Sequence, residues 1–145
     1  MTSPVTPIPQ ARVARILHFA LVAGLALAGV AFFVLLRVQG RSLGGGPDVG
    51  YVLAAVAALL LVVAQTVLRR RVPERRFDQS PDDYWGSPEI RGVSILLWAV
   101  IDGAGLLGWV GYVFTGGVAP AAAALLSIAT LVLYRPSRLE GGGAT

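Results

Sequence analysis

The chain has 145 residues, of which 55% are hydrophobic and only 14% charged, about half the charged fraction of an average soluble domain. It has no Cys, no Lys and no Asn, and all twelve basic residues are Arg. This composition excludes a soluble globular enzyme, a disordered chain, a disulfide scaffold and a zinc finger. The net charge of +4 does not point to nucleic acid, because the Arg residues sit at the edges of apolar runs, as membrane topology requires.

Four apolar runs follow one another, at 14–36, 49–68, 93–114 and 119–134. Crossing about 30 Å of hydrocarbon takes roughly 20 helical residues, which the first three supply. The fourth has 16 and is expected to begin about a turn earlier, in 116–118. Arg12 and Arg15 precede the first run as in a signal peptide. The run exceeds the roughly 7–15 residues of a signal core, so it reads as a retained helix. The expected fold is an all-α membrane protein of four transmembrane helices in one bundle. Its expected parts are a disordered tail (1–8), a first hairpin (9–68), a loop (69–87), a second hairpin (88–138) and a disordered tail (139–145). Residues 37–50 form a Gly-rich connection, and 115–118 form a tight turn. Pro88 suits the first helical position, with Ser87 as its cap and Glu89 in the first turn.

Arg distribution sets the orientation. Ten of the twelve lie at the start of the first run (Arg12, Arg15), between the second and third runs (Arg69, Arg70, Arg71, Arg75, Arg76, Arg91) or after the fourth (Arg135, Arg138); only Arg37 and Arg41 lie on the other side. The positive-inside rule therefore predicts an inner-membrane protein with both termini cytoplasmic.

An offset of 79 residues aligns the first and third runs without a gap. Pro9 meets Pro88, Arg12 meets Arg91, Gly24 meets Gly103, and Gly29 meets Gly108. The Pro and Arg matches lie outside the apolar runs, which favours two duplicated hairpins as parallel repeats over chance similarity of Ala/Gly/Leu-rich helices. In lipid, helices associate through small residues. Ala20, Gly24 and Ala28 are accordingly expected to face Gly103 and Gly108.

Asp102 is the one charged residue placed deep in a run, about 11 residues or roughly 16 Å of helix beyond Arg91. Intramembrane acids face the bundle interior or water and often mark ion paths. Ser127, about 12 Å inward from Arg135, is its expected partner. The acid reads as a hydrogen-bonded packing contact with Ser127, as a candidate proton or ion site, or as a contact with a partner subunit. His18, the only His, lies one turn inside its helix, and Gln65 and Thr66 are expected at the same depth within hydrogen-bond reach. Haem ligation by His18 would need a second ligand from elsewhere, so no cofactor is expected. Arg69, Arg70, Arg71, Arg75 and Arg76 are expected to contact anionic lipid headgroups. Tyr84 and Trp85 read as an interfacial anchor or a partner contact. No nucleophile–His–acid set, phosphate loop or metal cluster is present in the sequence, so an enzyme is not expected. The leading expectation is a structural or accessory membrane protein that binds a membrane partner or itself. The alternative is a small oligomeric proton- or ion-coupled transporter or channel using Asp102.

Overall fold

Glycines at 105, 108 and 111 strip one side of the third apolar run of side chains, and the other helices close onto that side. The computed structural model describes residues 8–40 and 42–141. Its elements are α1 (Gln10–Gln39), α2 (Pro47–Val63), a π-helical turn (Ala64–Leu68), α3 (Arg69–Arg71), α4 (Pro81–Gly86), α5 (Pro88–Thr115), α6 (Val118–Leu133) and α7 (Pro136–Leu139). Helix takes up 82% of the described residues and none is in a strand, so the fold is all-α. Three helices, Gln10–Gln39, Pro47–Arg71 and Pro88–Thr115, are long and apolar enough to cross a membrane, and Val118–Leu133 is a shorter apolar helix.

Helix α5 is the hub. Helices α6, α2 and α1 each pack on it, whereas α1 and α2 barely touch. Toward α6 backbone meets backbone: a Cβ on Gly108 would lie 2.7 Å from the Ala124 backbone nitrogen. Backbone cannot yield as a flexible side chain can, so only glycine lets the helices meet here. Toward α1 the fit is large into small. Leu25 fills the space over Gly105, and the Trp109 ring lies on Gly29. Helix α1 presents a single buried stripe, Ala11, Ala14, His18, Leu25 and Gly29, whose three- and four-residue steps mark one helical face. The remainder of α1 is apolar and outward-facing.

The chain ends fix the directions. At one end the Leu43 and Gly45 amides, just after α1, donate to Val113 O (3.2 Å) and Phe114 O (2.9 Å) at the end of α5. At the other end Arg91 Nη1 donates to Gln10 Oε1 at 2.9 Å. Helices α1 and α5 therefore run parallel, and α2 and α6 run against them. The turn between α5 and α6 passes through Gly116 at φ 65°, the left-handed region that glycine adopts freely.

Several expectations are revised. Gly24 and Gly103 do not meet: nothing lies within 4 Å of a Cβ built on either. Ala20 is exposed and Ala28 only partly buried. Gly108 receives α6 rather than α1. The reason is that Leu25 and Trp109 occupy the space between α1 and α5, and they seat over Gly105 and Gly29 instead. The repeat-matched Gly29 and Gly108 thus take different neighbours, and the two hairpins pack differently. The start of α6 at Val118, with Gly117 as its cap, falls within the expected 116–118. Ser87 stands at the cap of α5 but makes no side-chain cap bond; it is Ser80 that caps α4, accepting from the Asp83 amide at 3.1 Å. Leu139 and Glu140 are buried, so the ordered chain extends past the boundary expected at 138. The other residues expected to form tails, 1–7 and 142–145, lie outside the described residues.

Gly108→Ala should destabilise the bundle by about 1–3 kcal/mol, the cost of overpacking. Gly92→Ala, on α5 with nothing within 4 Å of its Cβ, should be neutral or stabilising by up to about 1 kcal/mol. Denaturant unfolding in detergent, followed by tryptophan fluorescence, checks the pair.

Candidate functional site

Helix α6 is the shortest of the four long helices, and its C-terminal end is covered by protein. The last four carbonyls of a helix have no partner within it, and here two of them are met by side chains from other helices. His18 Nε2 lies 2.8 Å from Leu131 O; a carbonyl only accepts, so the ring donates from Nε2. Trp98 Nε1 donates to Tyr134 O at 2.9 Å. His18 comes from α1 and Trp98 from α5, and the two rings pack edge to face with centroids 5.1 Å apart. Gln65 and Thr66 do not meet His18. They are exposed on the π-helical turn, Thr66 Oγ1 bonds its own helix at Val62 O, and α2 stays away from α1.

From Trp98 an aromatic stack continues outward. Trp85 lies 5.8 Å from Trp98, and Tyr84 lies 5.2 Å from Trp85, ring centre to ring centre. Tyr84 and Trp85 are 0% and 1% exposed. This corrects their expected role as an interfacial anchor, since α4 tucks both rings beneath the bundle end. Short α4 can do this because Ser80 caps its start and Asp82 Oδ1 accepts from the Ala11 amide at 3.0 Å, tying it to the start of α1.

Several polar side chains tie this end together. Trp85 Nε1 donates to Glu140 Oε1 at 2.7 Å, and Arg15 approaches the same oxygen at 3.8 Å. The Tyr84 hydroxyl donates to Pro73 O at 2.7 Å and lies 3.4 Å from Leu139 O. Burial pushes the Tyr84 phenol above its ordinary pKa of 10.0, against the pull of Arg69 and reinforced by Glu140 and Glu74. The start of α1, residue 73, α4 and the chain after α7 are thereby joined into one assembly. Glu140 was not singled out in the sequence; its signal would have been an acid directly after a buried apolar residue near the last Arg.

Asp102 and Ser127 share no hydrogen bond. Ser127 is fully buried, packs toward Gly105 and donates to Ala123 O in its own helix at 2.9 Å. Thr130 likewise donates to Leu126 O at 2.7 Å. Asp102 is partly buried. It forms no hydrogen bond or ion pair among the described residues. Ser94 Oγ and Trp109 Nε1 are buried without partners. Arg69 and Arg75 are partly buried and Arg70, Arg71 and Arg76 exposed; Arg69–Arg71 form the last turn of the helix Pro47–Arg71, and Arg75 and Arg76 follow it. Phe77 beside them is fully exposed. Among the described residues no group of three or more His, Asp or Glu could hold a metal ion.

Comparison with known proteins finds no matching family model, no matching curated protein and no matching solved structure.

Trp85→Phe keeps the ring but strands Glu140, and should cost about 2 kcal/mol of unfolding free energy, as for a buried hydrogen bond to a charged group. Tyr84 has a raised folded pKa, so its contribution is complete below about pH 10 and is lost as pH rises through the raised value. Unfolding titrations from pH 8 to 11 should show a steeper decline for the parent than for Tyr84→Phe; equal slopes would contradict the role given to Tyr84.

Proposed function

We propose that this protein is a four-span inner-membrane protein, with its tails and middle segment cytoplasmic, that serves as a structural or accessory subunit through helix–helix association. The orientation rests on the ten Arg near one end. The contacts of Gln10 with Arg91, Ala11 with Asp82 and Trp85 with Glu140 support it by gathering the start of α1, the middle segment and the end of the chain at that same end. Residues Arg69–Arg71 and Arg75–Arg76 would lie against anionic headgroups there.

The observation that carries the association reading is how the intramembrane polar side chains are used. His18, Ser127, Thr130 and Thr66 each bond a backbone carbonyl of this chain. His18 thereby joins α1 to α6, the other three are engaged within their own helices, and little is left with which to bind a polar substrate. Meanwhile α1 turns most of its apolar length outward: in its most apolar 18-residue window only 11% is buried. Helices with so much unpartnered surface are suited to neighbours in the membrane, where close packing drives association.

Purification from native membranes in mild detergent should yield a complex heavier than the 15.1 kDa chain. A lone monomer with no co-purifying membrane protein would overturn the reading.

A further inference from the structure

Asp102 is the fifteenth of the 28 residues of α5, so it sits at the middle of a helix long enough to cross a membrane. A carboxyl at that depth is costly unless it faces water or finds a partner. The nearest basic residue before it on its helix is Arg91, about 16 Å back along the axis. The nearby intramembrane donors His18, Ser127 and Thr130 already serve backbone carbonyls. Asp102 is therefore left without a hydrogen-bond or ion-pair partner among the described residues.

The surface around it is open. Ala99, Asp102, Gly103 and Leu106 follow the i, i+3, i+4, i+7 spacing of one helical face. Ala99 and Leu106 are exposed, and nothing within 4 Å faces a Cβ at Gly103 or at Gly24 on neighbouring α1. Helix α5 thus has two glycine-lined sides. The side with Gly105 and Gly108 is filled by Leu25 and α6, and the side with Gly103 is empty and bears the unpaired acid.

We infer that a second copy of this chain fills the empty side, with two α5 helices meeting about a twofold axis at Ala99, Asp102 and Gly103 and their Asp102 carboxyls hydrogen-bonded to each other. A twofold interface places the same residue of each copy opposite itself, which guarantees a match in depth. A carboxylic acid carries both a donor and an acceptor, so a symmetric pair satisfies both members without any cation, and the chain offers no cation at that depth. The small residues on either side let the backbones come near enough for the short carboxyl side chains to meet. The inference rests on the association reading and names the partner.

The chain has no cysteine, so a single Cys introduced at Ala99 reports the interface by disulfide formation in oxidised native membranes. Ala99→Cys should give a cross-linked dimer, whereas Leu126→Cys, on the outward face of α6, should not. Adding Asp102→Leu, which inserts readily in lipid, should lower the cross-linked yield about tenfold, the scale of one interhelical hydrogen-bonded pair. Asp102→Asn, whose amide also both donates and accepts, should retain it. A yield at Ala99→Cys no higher than at Leu126→Cys, or one unchanged by Asp102→Leu, would overturn the pairing. If the parent protein then still co-purified with a different membrane protein, the association reading would stand and only the twofold pairing would fall.

Discussion

The bundle is tied together at the end of α6. A helix of 16 residues rises about 24 Å, less than the roughly 30 Å of a hydrocarbon core. Two of its last carbonyls, those of Leu131 and Tyr134, are met by side chains of other helices, and a buried carbonyl left unpaired costs about as much as a lost hydrogen bond. His18 and Trp98 answer that need from two different helices. In doing so they fix where α1 and α5 stand around α6. The rest of that end follows: Trp85 packs beside Trp98, Tyr84 meets Trp85 edge to face, and Glu140 and Leu139 receive their polar atoms.

The opposite end obeys the same rule by other means. The final carbonyls of α5 accept from the Leu43 and Gly45 amides, so the Gly-rich connection is held against the turn instead of hanging free. Thr115 Oγ1 donates to Gly111 O and accepts from the Gly117 amide, which closes the turn itself. Between the ends, the fold relies on close approach: α5 meets α6 at Gly108 with no room for a side chain. Polar bonds at the ends and glycine packing in the middle make α5 the axis, with α1 left to present an apolar face outward.

The sequence announced the helices and their order, because apolar runs of membrane length bounded by Arg admit little else. The short fourth run and the tight turn before it were also legible. Which glycines carry the packing was not. Gly24, Gly29, Gly103, Gly105 and Gly108 look alike in a sequence, and the choice among them depends on where Leu25 and Trp109 come to rest. The role of His18 was hidden for a similar reason. Its partner is a backbone carbonyl 113 residues away, and backbone carbonyls leave no mark on a sequence. Tyr84 and Trp85 looked like interfacial aromatics because an amphipathic ring suits an interface and a buried hydrogen-bonded site equally well. Only the presence of Glu140 and the Pro73 carbonyl decides between the two.

The bond from His18 to the end of α6 is the centre of this account, and the chain's single His makes it directly measurable. Nitrogen-15 NMR of the histidine-labelled protein in lipid bilayers distinguishes the two neutral ring tautomers. The structure calls for a proton on Nε2, hydrogen-bonded to a carbonyl, and for this signal to be lost when the protein is unfolded. A neutral ring with its proton on Nδ1 and a bare Nε2 would contradict it.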